Sequence, residues 1–319
     1  MDFEIWTEKY RPKNFDEIIN QENIVERIEA FVRSKNIPHM IFSGPPGCGK
    51  TTLAIVLAKE LYGDEWKQNV LQLNASDERN IGIIRGKVKE FARTKAIGEV
   101  PFKLIIMDEA DAITNEAQQA LRRLMEDFAS ITRFLFTCNY SNKIIEPLQS
   151  RTVIFRFKAL DDKHVLEFVE RIEKGEKLKI TKDGKEAIVR IAEGDLRKAA
   201  NILQAAAAIK KDIDEDTIYE ALSLAKPKEV REMIDLALSG KFLEAKKMLE
   251  DLLIKKGLAG SDLIVEIHRQ IPSLDISNEA KIDLLEKCGE IDFRISEGAN
   301  ELIQIVTLLS RFALYSKKK

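Results

Sequence analysis

Short apolar runs alternate with amphipathic stretches through the first half of the chain. The runs 40–43 (Met-Ile-Phe-Ser), 70–74 (Val-Leu-Gln-Leu-Asn), 103–107, 133–137 (Arg-Phe-Leu-Phe-Thr) and 152–157 have strand length, while 51–61, 81–95 and 115–128 carry helical periodicity between them. Such alternation predicts an α/β fold, a parallel sheet covered by helices on both faces. Ligands of such sheets bind beyond the carboxyl ends of the strands. From about residue 159 strand signals fade. Segment 161–224 is expected to break into short helices at Gly175, Gly184, Gly194 and Asp212. After Lys226-Pro227 come longer amphipathic segments at 228–238, 241–256, 261–271, 277–289 and 291–315, and Pro227 marks a domain hinge. No repeat occurs, and low complexity is confined to Ala205–Ala208 and the basic tail Lys317–Lys319, read as frayed.

Composition narrows the class. The 319 residues suffice for two or three domains, and 45% hydrophobic residues can build real cores beneath a surface drawn from 33% charged residues. A net charge of −2 is silent on nucleic acid, because basic patches can hide in a balanced total. No apolar run approaches the ~18 residues of a membrane span. The start Met-Asp-Phe-Glu-Ile-Trp lacks the basic and apolar regions of a signal peptide, so secretion is not expected. Cys48, Cys138 and Cys288, like His39, His164 and His268, are too scattered for a disulfide framework or a structural metal site.

Residues 44–51 read GPPGCGKT, which fits G-x-x-x-x-G-K-[ST], between a strand-like run and a helix-like one. Gly44, Gly47 and Gly49 permit a loop tight enough to wrap phosphates, with Pro45, Pro46 and Cys48 completing it and Thr51 and Thr52 opening the helix. That helix aims its N-terminus at the anion. Lys50 is placed to reach the β- and γ-phosphates and the Thr51 hydroxyl to ligate Mg²⁺. Leu104-Ile-Ile-Met-Asp108-Glu109-Ala-Asp111 is an apolar run ending in carboxylates. Asp108 would hold the metal, directly or through water, and Glu109 would orient and polarise the attacking water. Standing alone, the cluster could equally be a solvated strand-end turn. These motifs predict a chain that binds and hydrolyses a nucleoside triphosphate, with ATP and Mg²⁺ the expected ligands.

Three further residues carry two readings each. Asn139, at the polar tip of the apolar run 133–137, either shapes a turn or emerges beside Asp108 to meet the γ-phosphate or the water. Arg151, after a Pro-containing turn, is either a plain surface charge or a cation offered to a neighbouring subunit's triphosphate. Arg197, in Gly194-Asp-Leu-Arg-Lys198, either forms a helix-start salt bridge or swings toward the phosphates.

Taken together these residues resemble the AAA+ ATPases and, among them, the replication factor C small subunits. The matching strings are Trp6-Thr-Glu-Lys-Tyr10-Arg11-Pro12 with Ile18 to Gln21, GPPGCGKT, Leu73-Asn-Ala-Ser-Asp-Glu-Arg79, Asp108-Glu109-Ala-Asp111 and Gln118-Gln-Ala-Leu-Arg-Arg123. Cys138-Asn139-Tyr140, Ile145-Glu-Pro-Leu-Gln-Ser-Arg151 and Gly194-Asp-Leu-Arg-Lys-Ala199 complete them, in the family's order over roughly residues 5–205. Two departures are Thr152 where the family usually has Cys, and Asn80 where it usually has Gly. The resemblance implies three domains: a nucleotide-binding α/β domain (1–158), a helical lid (159–226) and an all-helical collar for oligomerisation (227–319). It implies Asn139 as sensor 1, Arg197 as sensor 2, Arg151 as an arginine finger acting in trans, and Tyr10, Arg11 and Pro12 along the adenine side. The partners it implies are a clamp-loader large subunit and further small subunits in a five-membered arc, a sliding clamp and primer–template DNA, in cytoplasm if archaeal and nucleus if eukaryotic.

Arg85, Lys89 and Arg93 fall at i, i+4 and i+8 of one expected helix, with Arg79 just before it. No aromatics interleave, so the stripe suits phosphate tracking rather than base stacking, or is simply a solvated cationic face. Arg122-Arg123 could equally serve as interface ion-pair partners. Two rival functions compete with the clamp loader. Another AAA+ DNA machine, a helicase loader or junction motor, is disfavoured by Leu73–Arg79 and Trp6–Pro12 and by the lack of a winged-helix signal in 228–319. A non-catalytic scaffold subunit is disfavoured because every hydrolytic position is filled.

Overall fold

The computed structural model describes residues 4–76 and 81–316. The chain divides into two compact units, one of Met1–Ile180 with Lys185–Gln204, the other of Thr181–Gly184 with Ala205–Lys319. Along the first run α1 (Trp6–Lys9), α2 (Glu22–Arg33), β1 (Met40–Ser43), α3 (Lys50–Tyr62), α4 (Trp66–Asn69), β2 (Val70–Asn74), α5 (Ile81–Arg93) and β3 (Lys103–Asp108). Then come α6 (Asn115–Asp127), β4 (Thr132–Cys138), α7 (Glu146–Gln149), β5 (Val153–Arg156), α8 (Asp162–Glu176), α9 (Lys182–Ala192) and α10 (Leu196–Ile209).

The five strands form one parallel sheet in the order β2-β3-β4-β1-β5. Both faces are buried, and period-two alternation sorts the side chains between them. Met40, Phe42, Leu104, Ile106 and Leu135 join Ile28, Leu53, Leu57 and Leu61 of α2 and α3 on one face. Ile41, Ile105, Met107, Phe134 and Phe136 join Val88 of α5 and Leu121, Leu124 and Met125 of α6 on the other. The expected α/β sandwich is thus built, with β1, β3 and β4 side by side and their carboxyl ends at one edge. One buried polar side chain steadies that edge. Gln118 of α6 donates to Ile113 O (3.1 Å) and Lys143 O (3.0 Å) and accepts from Ile145 N (2.8 Å), fixing the segment that leads to Arg151.

The second unit contains α11 (Glu215–Leu222), α12 (Pro227–Leu238), α13 (Phe242–Glu250), α14 (Gly260–Gln270), α15 (Asn278–Ser296) and α16 (Glu301–Leu314). Val230, Ile234, Leu249, Ile267, Leu284, Leu309 and Phe312 share its apolar core. Pro227 is the first residue of α12, where its missing N–H costs nothing.

Three expected breaks need correction. α8 runs through Gly175 and ends at Lys177, a left-handed residue (φ 54°). Gly184 lies inside α9, whereas the expected break at Asp212 is present, as a two-residue strand between α10 and the next helix. α15 continues past Gly289 to Ser296, because Leu284, Cys288, Ile291 and Ile295 keep a helical stripe in the core. The actual turn holds Gly298 at φ 91°.

Candidate active site

The phosphate loop fills the gap between Ser43, the last residue of β1, and Lys50, the first of α3. Gly49 caps α3 with φ 96°, a left-handed conformation that side chains resist, and nothing lies within 4 Å of where its Cβ would stand. Gly47 is also left-handed (φ 68°), and a Cβ there would come within 2.0 Å of Asp195 Oδ1. Asp195 accepts from the N–H groups of Arg197 (2.8 Å) and Lys198 (3.1 Å), so the start of α10 is seated directly on the loop.

Lys50 is buried, and burial lowers its pKa. Its ammonium donates to Gly44 O (2.8 Å), Pro45 O (2.7 Å) and Asn139 Oδ1 (3.0 Å). Those three oxygens occupy the three donors that an ammonium has. They satisfy a buried charge in a loop shaped for anionic oxygens. Cys48 points into the core and brings only its backbone to the loop surface, with Sγ 4.0 Å from Lys50 Nζ.

Thr51 Oγ1 donates to Asp108 Oδ1 (2.9 Å), and the Thr137 hydroxyl donates to the same oxygen. Thr137 also accepts from Glu109 N (3.3 Å). Strand register explains the meeting, since Met107 pairs with Phe136 and the next step brings Asp108 to Thr137. Glu109 is exposed and left-handed (φ 55°, ψ 40°). That backbone is disfavoured for a side chain outside Gly, Asn and Asp, and such strain gathers at functional sites. Asp111 Oδ2 accepts from Asn139 N (3.2 Å) and Tyr140 N (3.3 Å), setting the loop that presents Asn139 to Lys50.

These groups surround a cavity of ≈ 200 Å³. Of the residues expected at the nucleotide, Tyr10, Arg11, Pro12, Pro46, Gly47, Gly49, Lys50, Thr51, Thr52, Asp108, Glu109, Asn139 and Arg197 all line it. Gly44 and Pro45 stand behind it, holding Lys50 by their carbonyls. Its lining combines the polar groups Lys50, Thr51 and Asp108 with the apolar surfaces of Tyr10, Pro12, Ile18 and Phe168. Arg11 Nε reaches Thr52 Oγ1 (3.3 Å), and its Nη1 pairs with Glu8 (3.0 Å).

Arg151 stands apart from this cavity. It is exposed beyond α7, its Nη2 2.6 Å from Glu126 Oε1 and its Nη1 donating to Pro147 O (2.8 Å). Arg122 Nε shares the same carboxylate (3.2 Å), and the two guanidinium groups hold the Glu126 carboxyl below its usual pKa. Lys89 and Arg93 are exposed on α5. Arg79 and the side chain of Arg85 lie outside the described residues. Nothing in the sequence pattern signals the part played by Thr137, whose partners Asp108 and Glu109 lie distant along the chain.

A parallel sheet, a glycine loop running into a helix, and Lys, Thr and Asp brought together at its mouth define a nucleotide-binding ATPase of the AAA class. Residues 40–160 match the model of the ATPase family associated with various cellular activities (AAA), and residues 225–311 match the replication factor C C-terminal domain. Over nearly its whole length the chain is similar to curated small subunits of replication factor C. It is 50% identical to that of Methanococcus vannielii (97% of this chain, 98% of the relative) and 52% identical to that of Sulfolobus acidocaldarius (98% and 97%). Among solved structures, the Thermotoga maritima RuvB Holliday junction branch migration motor aligns with a TM-score of 0.55 at 19% identity, covering 84% of this chain and 92% of that one. At that identity the likeness speaks for the fold alone. The chain belongs to the family of replication factor C small subunits, the AAA+ ATPases of sliding-clamp loaders.

Proposed function

We propose that this chain serves as an ATP-hydrolysing small subunit in a five-membered assembly with a large subunit and further small subunits, opening a sliding clamp and releasing it closed around primer–template DNA. The observation that carries the reading is the convergence of Lys50, Thr51, Asp108 and Asn139 at one cavity, in a chain related end to end to replication factor C small subunits. In this reading the triphosphate lies against Lys50 and Thr51, cradled by the loop and the first turn of α3, and the base beside Tyr10 and Pro12. Thr51 and Asp108 offer hydroxyl and carboxylate oxygens 2.9 Å apart, the hard donors Mg²⁺ takes while leaving its other positions to phosphate and water. When bound, the ion would neutralise charge on the β- and γ-oxygens.

Glu109 then orients and polarises the attacking water, its direction set by its left-handed backbone and the N–H bond to Thr137. Asn139 senses the γ-phosphate from Lys50's side, and Arg197 approaches from the start of α10. Arg151 acts on the neighbouring subunit's ATP. The three-part division, nucleotide domain to 158, lid to 226 and collar beyond, belongs to the same proposal, as do DNA contacts by Arg79, Arg85, Lys89 and Arg93. Among the described residues no helix is long and apolar enough to cross a membrane. The test is ATP hydrolysis by the assembled complex with and without primed DNA and a cognate clamp. Stimulation by both is expected; a rate indifferent to both would overturn the clamp-loading role.

A further inference from the structure

The face of α8 that meets the N-terminal segment is built around one missing side chain. Phe168, Arg171 and Gly175 are three and four residues apart, one stripe of the helix. Phe168 lines the cavity, and Arg171 Nη2 pairs with Glu17 Oε2 (3.0 Å). At Gly175 a Cβ would stand 2.1 Å from the Tyr10 hydroxyl oxygen, 2.9 Å from Cζ and 3.0 Å from Cε1. Gly175 has no left-handed φ, so backbone freedom does not account for it, and glycine is unfavourable inside a helix. Close approach of the ring accounts for it. Beside it, Glu176 Oε1 accepts from the Tyr10 hydroxyl (2.8 Å) and from Lys9 Nζ (2.7 Å). Burial and that carboxylate raise the Tyr10 pKa, so the phenol remains a donor. Trp6 packs edge-on against Tyr10 (centroids 6.5 Å apart).

We infer that Gly175 and Glu176 are positioning residues for Tyr10, seating its ring as the base-end wall of the nucleotide site and tying that wall to α8. The inference rests on the nucleotide reading of the cavity. A nucleotide's base then meets a wall whose place is set by α8, so any displacement of α8 carries the base contact with it.

The full-length chain is titrated with fluorescent ATP, and with inorganic tripolyphosphate as a competitor that lacks ribose and base. Gly175→Ala is expected to weaken ATP binding about tenfold while leaving tripolyphosphate affinity within about twofold of wild type, tenfold in affinity being 1.4 kcal/mol. If the loss acts through the ring, Gly175→Ala should weaken ATP binding little further in a Tyr10→Ala background, where there is no ring left to displace. Glu176→Ala should weaken ATP in the same base-dependent manner, and Glu176→Gln, which keeps an acceptor, should do so less. Unchanged ATP affinity in Gly175→Ala, or equal losses for ATP and tripolyphosphate, overturns the inference. Failure of the wild-type chain to bind ATP would instead sink the nucleotide reading on which it rests.

Discussion

Asn139 Oδ1 lies 3.0 Å from Lys50 Nζ, joining the end of β4 to the loop after β1. On the proposed reading a bound nucleotide would break this pairing. The lysine's other close oxygen partners are the loop carbonyls Gly44 O and Pro45 O, so an incoming phosphate would compete with neutral acceptors. A charged oxygen makes the stronger hydrogen bond to an ammonium. On that reading Asn139 would then be freed to follow the γ-phosphate, its backbone N–H still bound to Asp111.

Lys50→Ala should therefore abolish nucleotide binding and turnover together. Glu109→Gln should keep binding and lose turnover, because it removes only the carboxylate that polarises water. Binding by fluorescent ATP and steady-state hydrolysis separate the two, and a Glu109→Gln protein at wild-type rate would remove Glu109 from its role.

Thr137 holds Asp108 and the Glu109 N–H at once from a fully buried position. Thr137→Val keeps the shape and deletes both hydrogen bonds. Groups that orient a metal's ligands are worth about 10–100-fold in metal affinity or activity. We expect a loss in that range in turnover and in apparent Mg²⁺ affinity, with the cooperative unfolding transition retained.

His39 gives a pH signature for the sheet. Its Nδ1 accepts from Phe134 N (3.0 Å), and burial, then the nearby Arg133 charge, lowers its pKa from 6.5 to about 4. Between those values the unfolded chain binds the extra proton, so stability is full above pH 6.5 and falls as pH drops toward about 4. Both tryptophans, Trp6 and Trp66, lie in this unit and report its unfolding. His39→Gln should flatten the difference in urea midpoint between pH 7 and pH 5 in wild type; an equal slope in both proteins would remove His39 as its source.

How far the sequence reveals the site depends on how local each interaction is. The glycine loop, Lys50, Thr51 and the Asp108–Asp111 string are legible because their chemistry is written in consecutive residues. The sheet is legible because both-face burial makes β1, β3 and β4 nearly continuous apolar runs. Thr137 and Glu176 are not, since each acts through a partner that only strand register or helix docking brings near; Thr137 meets Glu109 across 28 residues and Glu176 meets Tyr10 across 166. Glycines mislead in both directions. Gly175 and Gly289 look like helix ends, yet one makes room for Tyr10 and the other lies on the exposed side of α15.

The α5 stripe predicts a salt dependence. Changing Arg85, Lys89 and Arg93 together to Ala should weaken binding to primed DNA and flatten its log–log salt slope, by about 0.9 for each duplex phosphate the protein no longer neutralises. Equal slopes in the two proteins would return the helix to a solvated face.

Arg151 carries the boldest expectation, because its observed partners are within its own subunit. Glu126 and Pro147 O hold the guanidinium at the surface. Arginine's planar fork matches two phosphate oxygens at once. Trans arginines contribute about 10³–10⁵ in rate in some phosphate-hydrolysing enzymes. Arg151→Ala should leave ATP binding by its own subunit intact while hydrolysis in the assembled complex falls. Glu126→Ala, which frees the guanidinium from its carboxylate, should lower that same rate less, without changing ATP affinity. Mixing separates action in trans from local damage. An Arg151→Ala subunit and a Lys50→Ala subunit, each inactive alone, form some interfaces in which an intact Lys50 site faces an intact Arg151. Partial hydrolysis should return in mixed assemblies whose composition is verified by mass. If such assemblies form and stay silent, Arg151 does not act on a neighbour's nucleotide, and the Arg122–Glu126–Arg151 cluster is an ion-pair network of one subunit's surface.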